Sequence, residues 1–123
     1  MPHSNRTLSC LTDVHDSADA ILTWAAGHEF DDYEKDRLLR RAVEREFEII
    51  GEALRRLRDD DPAVWDRFPD AARILAFRNR LAHGYDSVDN AVVWGIISDH
   101  LPSFMKTVEA LLEGKSSGER SVT

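Results

Sequence analysis

Residues 39–57 read LRRAVEREFEIIGEALRRL. Leu39, Val43, Phe47, Ile50, Leu54 and Leu57 recur at steps of three and four, the period of one helix face. Arg and Glu fill most positions between them, so the opposite face is charged. Glu48 and Glu52 lie four apart, with Arg55 and Arg56 behind them. That order suits solvent and the helix dipole, and it reads as support for a bundle or pairing with Arg. A stripe this narrow, on a rod this long, calls for other helices to cover it.

The flanking segments supply them. Leu11, Val14, Ala18, Ile21 and Ala25 form a second stripe, with Ser9 as its expected N-cap and Gly27 as its stop. The link from His28 to Tyr33 is polar and carries no strand signal. Asp59, Asp60 and Asp61 interrupt the 39–57 pattern, and Asp61-Pro62 reads as an N-cap and first helical position opening a short turn through Trp65 to Phe68. A third helix is expected over about Asp70 to Ala82, ended by Gly84. The fourth starts near Ser87 and carries Val88, Val92, Ile96, Leu101, Phe104, Met105 and Val108. Pro102 inside that pattern predicts a kink or break near His100. No internal repeat and no period-2 strand is present. The expected architecture is all-α, an antiparallel four-helix bundle over residues 8–113, with 1–7 and 114–123 disordered.

Composition narrows the function classes. Sixteen Lys+Arg against 23 Asp+Glu give a formal net charge of −7, which argues against coating nucleic acid with the whole surface. Any RNA contact has to be a local patch. Cys10 is the single cysteine, so no internal disulfide forms, and a reducing, cytoplasmic home without membrane insertion is expected. A di-iron bundle needs Glu-x-x-His on two helices, and no Glu here has His at the third position after it. Five scattered histidines and one cysteine match no zinc spacing. Gly114-Lys115-Ser116 mimics the end of a P-loop, but Glu109 stands where its first glycine belongs. No metal and no cofactor is expected.

The chemistry concentrates in Ala71 to Tyr85, AARILAFRNRLAHGY, which holds Arg73, Arg78 and Arg80 and no acidic residue. Such a cluster can grip phosphate, with Arg73 and Arg80 as RNA phosphate contacts; solvated arginines paired with a neighbour's Glu are the plainer reading. Arg78, Asn79 and His83 add a donor fork, a neutral donor–acceptor and a proton carrier. That kit suffices for cleaving RNA without metal, since the 2′-hydroxyl is the nucleophile and the protein moves protons and stabilises the phosphorane. At about 100° per residue, Asn79 and His83 lie about 40° apart, whereas Arg78 and His83 lie about 140° apart. Either the Arg side chain curls round, or the helix unwinds at His83, or a second subunit completes the site. A histidine at a helix C-terminus favours its protonated form, which suits a general acid or phosphate anchor; two copies across a dimer could divide acid and base. Each residue also has a purely structural reading: Arg78 as a buried bridge between helices, Asn79 as a backbone partner, His83 as a cap, Tyr85 as a core aromatic.

RNRLAHGY, Arg78 to Tyr85, is an Arg-x4-His-x-Tyr motif that resembles the signature of the HEPN superfamily. With Ile49-Ile50-Gly51-Glu52-Ala53, the Pro62–Phe68 turn carrying Trp65, and Trp94 with Leu101-Pro102, the chain resembles the HepT toxin family. The resemblance implies an all-α HEPN homodimer bringing two motifs together at a cleft. It implies a toxin of a type VII HEPN/MNT module, a metal-independent ribonuclease acting on tRNA or mRNA. It also implies an MntA-like nucleotidyltransferase antitoxin that transfers AMP from ATP to the motif tyrosine. Carried over by position, Arg78 and His83 are the catalytic pair, Asn79 supports them, and Tyr85 accepts AMP. The competing reading from another class is a non-catalytic HEPN module that binds nucleotide or its nucleotidyltransferase partner through the same cleft.

Overall fold

The computed structural model describes residues 3–83 and 89–114, apart from the side chains of 81–83. Gly84 as a helix stop, Tyr85, and the tail from Lys115 onward lie outside the described residues. Within them the chain is all-helical: α1 Asn5–Ala25, α2 Phe30–Lys35, α3 Arg37–Asp60, α4 Pro62–Asp66, α5 Ala71–His83, α6 Asn90–Asp99 and α7 Leu101–Leu112. The long rods α1, α3, α5 and the broken α6–α7 pair make the bundle. α3 lies between α1 and α5, and α1 also packs on α7.

The 39–57 stripe is the centre of the core. Val43, Phe47, Ile50, Leu54 and Leu57 are fully buried, facing Leu11, Val14, Ala18 and Ile21 of α1. Leu39 is only partly buried, at the edge. On the other side Phe47 meets Phe77 of α5 edge-on, with ring centroids 5.0 Å apart and planes at 82°. Phe68, between α4 and α5, stacks on Phe104 of α7 with ring centroids 4.8 Å apart.

The first helix starts earlier than its apolar stripe indicates. Ser4, not Ser9, is the N-cap, its hydroxyl accepting from the Thr7 N–H at 3.1 Å. The extra turn forms because Thr7 is buried and donates to Asp61 Oδ2 at 2.8 Å, a tertiary partner 54 positions away. His3 donates from Nε2 to the Leu111 carbonyl at 2.9 Å. Residues 3–7 are therefore tied to the bundle, in place of the disorder expected for 1–7. Gly27 does follow the end of α1, with φ at +79°.

The 28–33 connector is also more ordered than its polarity indicates. Its second half enters α2, where Asp32 accepts from the Glu29 N–H at 2.8 Å. One residue, Tyr33, is buried there, its ring 5.4 Å from Trp94 of α6. A single buried residue leaves no periodicity to read.

The other breaks fall as expected. Asp61 caps α4, accepting from the Val64 N–H at 3.2 Å, with Pro62 opening the helix. α6 spans Asn90–Asp99, capped by Asp89, which accepts from the Ala91 N–H at 2.9 Å; the expected start near Ser87 lies outside the described residues. His100 separates α6 from α7, where Pro102 takes a first-turn position at which its missing N–H costs nothing. Among the described residues no helix is long and apolar enough to cross a membrane.

Asp61 serves two elements, capping α4 and holding α1. Asp61→Ala removes the cap and leaves the buried Thr7 hydroxyl without its acceptor. The expected loss is about 2 kcal/mol of unfolding free energy, read from a urea titration. A loss below about 0.5 kcal/mol would mean that neither bond matters in solution.

Candidate active site on the seam between α3 and α5

Ala71, Ile74 and Leu75 of α5 are buried at helical spacing, and Arg78 continues the same stripe. The core-facing row thus ends in a guanidinium. An arginine fits there because α3 has no side chain in the way. A Cβ built on Gly51 would stand 2.8 Å from Arg78 Cβ, and closer still to its Cγ and Cδ. Glycine in a helix interior costs about 1 kcal/mol relative to alanine, so its place here reflects this close approach.

Over that gap Arg78 Nη2 donates to Glu52 Oε2 at 2.5 Å, and Nη1 donates to the Asn79 carboxamide oxygen at 3.1 Å. Glu52 is held from its other side by Arg55, whose Nη2 donates to Oε1 at 2.6 Å and to Oε2 at 2.8 Å. Exposure differs along the chain of groups: the Arg78 side chain is 14% exposed and that of Glu52 42%. Burial pulls the Glu52 carboxyl upward. The hydrogen bonds and charges of Arg55 and Arg78 outweigh it and hold the group below the usual carboxylate range. Glu52 is ionised at neutral pH. Arg78 Nε is buried with no hydrogen-bond partner among the described residues.

Arg78 thus bonds to its neighbour Asn79 and also bridges α5 to α3. The structure does not gather the arginines into one patch. Arg73 is exposed and donates from Nη1 to His100 Nδ1 at 3.1 Å, at the α6–α7 break. Arg80 is exposed too. By helical period these two lie about 20° apart, and about 140–160° from Arg78. His83 is still within regular α5, so the helix does not unwind before it. Its side chain and all of Tyr85 lie outside the described residues. The part of the site not anticipated from the sequence is the role of Gly51 against Arg78 and the sharing of Glu52 between two arginines. The available signal was the interior glycine itself, beside a carboxylate on a helix otherwise rich in good helix formers.

The family of HepT-like ribonucleases matches residues 14–111, which include Gly51, Glu52, Arg78, Asn79, His83 and Tyr85. The chain belongs to the HepT-like ribonuclease family. Membership places it among enzymes that act on RNA. Relatives of this HepT-like chain bear matching names. A "Putative RNase" of Methanocaldococcus jannaschii is 30% identical over 101 residues, 80% of this chain and 90% of its own. A "Putative RNase" of Caldanaerobacter subterraneus subsp. tengcongensis is 33% identical over 87 residues, 71% and 77% of the two chains. The "Probable ribonuclease HepT" of Thermococcus cleftensis is 30% identical over 103 residues, 82% and 91%. No solved structure matches.

In this HepT-like seam, Gly51→Ala sets two effects against each other. Alanine gains about 1 kcal/mol of helix propensity, and the added methyl collides with the stem of Arg78. Cγ and Cδ can rotate away, but Arg78 Cβ is fixed to its backbone, so α3 and α5 must also shift apart; the expected outcome is a net destabilisation of about 1–3 kcal/mol with a displaced guanidinium. RNA cleavage then falls about 100-fold, in line with a misplacement of about 1 Å. Parallel urea and cleavage measurements check this; full activity in a folded variant would show that the close approach is dispensable.

Proposed function

We propose that this chain is a metal-independent endoribonuclease, the toxin of a HEPN/MNT toxin–antitoxin module, working as a homodimer in the cytoplasm. The observation that carries the reading is a guanidinium fixed on the motif position, between Glu52 and Asn79, in a chain of ribonuclease family. Arg78 and His83 are the catalytic pair. His83 of one protomer takes the proton of the 2′-hydroxyl, whose oxygen attacks the adjacent phosphorus. The 5′-oxygen leaves with a proton from the second protomer's copy of His83, giving a 2′,3′-cyclic phosphate and a 5′-hydroxyl. Arg78 and Asn79 stabilise the charge gathered on the phosphorane. Arg73 and Arg80 contact flanking phosphates of the RNA.

The helix geometry supports a dimer. Arg78 is held at the α3 seam, and His83 lies about 140° round the same helix. One chain does not readily bring both onto one phosphate, and a second chain does. Neutralisation is by an MntA-like nucleotidyltransferase that places AMP on Tyr85, adding a negative phosphate and bulk beside the RNA path.

One observation favours the second reading, a non-catalytic HEPN module that binds nucleotide or its nucleotidyltransferase: Arg78 already has a carboxylate partner. Purified chain incubated with total tRNA in EDTA separates the two. Cleavage ending in cyclic phosphate, lost in His83→Ala, supports the enzyme; intact tRNA with firm partner binding supports the module. For regulation, co-expression with the nucleotidyltransferase is expected to add about 329 Da per AMP to the parent and nothing to Tyr85→Phe. A Tyr85→Phe chain that still gains the mass would place the acceptor elsewhere.

A further inference from the structure

An arginine paired with one glutamate is neutral and gives a phosphate little reason to approach. Here the pair is a trio. Glu52 Oε2 accepts from Arg78 at 2.5 Å and from Arg55 at 2.8 Å, and Oε1 accepts from Arg55 at 2.6 Å. Two guanidinium charges against one carboxylate leave one net positive charge. The Arg78 side chain lies inside the seam and that of Arg55 is 48% exposed. A guanidinium carries five N–H donors. Among the described residues Glu52 and Asn79 engage one on each η nitrogen of Arg78, so each η nitrogen keeps one for a ligand oxygen. The carboxylate thus fixes the direction of the fork without filling it.

We propose that Glu52 is a positioning residue for the ribonuclease reaction: anchored by Arg55, its carboxylate holds the Arg78 guanidinium over Gly51 in the orientation that meets the transferring phosphate. This rests on the reading of the chain as a ribonuclease that uses Arg78. Positioning and charge have opposite signatures here. Glu52→Gln raises the charge of the trio by one. If electrostatic attraction were all that mattered, RNA would bind tighter and react at least as fast. If Glu52 positions Arg78, KM stays level or falls while kcat drops, because the freed fork samples orientations that do not meet the phosphate.

The experiment uses the full chain and its Glu52→Gln variant, with tRNA as substrate and EDTA present. Glutamine is close to isosteric and a similar helix former, so the variant keeps the fold, checked by circular dichroism. Two measurements are made: kcat and KM for cleavage, and the 15N resonances of the Arg78 guanidinium, whose rotation about Nε–Cζ is slowed while both η nitrogens are held. The expected result is a kcat lower by ten- to a hundredfold, a KM unchanged or lower, and Arg78 η resonances that are distinct in the parent and averaged in the variant. An Arg78 signal that Glu52→Gln leaves unchanged overturns the proposal, as does a released guanidinium with undiminished kcat. A parent chain that cuts no RNA sinks the ribonuclease reading instead, and the guanidinium signal then still decides whether Glu52 holds Arg78.

Discussion

Arg78→Ala is expected to lower RNA cleavage by about 10²–10³-fold, the usual cost of deleting a preorganised group that stabilises transition-state charge. The interpretation depends on the variant remaining folded, and the structure says why it should. Deleting one partner of a fully buried ion pair costs about 3–5 kcal/mol, because a charge is stranded. Glu52 is not stranded: it keeps both bonds to Arg55 and is 42% exposed. The remaining loss is the packing of the arginine stem over Gly51. A total near 1–2 kcal/mol is expected, against the roughly 5–15 kcal/mol that holds a domain together. Cleavage by a quantitative RNA assay and stability by urea titration belong in the same experiment. Activity within threefold of the parent would remove Arg78 from the mechanism; unfolding would show the trio to be a structural keystone.

Phe47→Ala has the largest expected effect on stability. Phe47 is fully buried at the middle of α3, between α1 and α5, and its ring meets Phe77 edge-on. Truncating a core phenylalanine costs about 3–5 kcal/mol, part of it the aromatic pair itself. That is a fifth or more of the stability of an ordinary domain, so the thermal midpoint should fall by about 10 °C or more. Phe77 immediately precedes Arg78, and a cavity beneath it loosens α5 where the guanidinium is held. Cleavage measured well below the new midpoint should therefore also fall. A midpoint lowered by less than about 3 °C would contradict the central place of Phe47 in the core.

The two effects differ in how legible they were beforehand. Phe47 belongs to a stripe of six apolar residues at helical spacing, and such a stripe has one stable use, burial against other helices. The all-α bundle, the helix opened by Asp61-Pro62 and the break at His100 could be read in the same way. Each depends on local rules of periodicity, capping and proline stereochemistry. The start of α1 could not be read so. Its extra turn rests on Thr7 reaching Asp61, and a hydroxyl–carboxylate bond spanning 54 positions leaves no periodic trace.

The candidate site divides along the same line. Arg78, Asn79 and His83 could be picked out because a cationic, acid-free segment stands out in an acidic chain and carries the Arg-x4-His-x-Tyr spacing. The sequence by itself thus determined the helical class, the core stripe and the residue types brought to the chemistry, since all three depend on neighbours along the chain. Only the tertiary structure decided that Arg78 faces inward over Gly51, that Glu52 is shared between Arg55 and Arg78, and that Arg73 turns to His100 instead. Those choices depend on which faces of α3, α5 and α7 meet, and contact geometry between helices is set by packing of the whole bundle, not by any local run of residues.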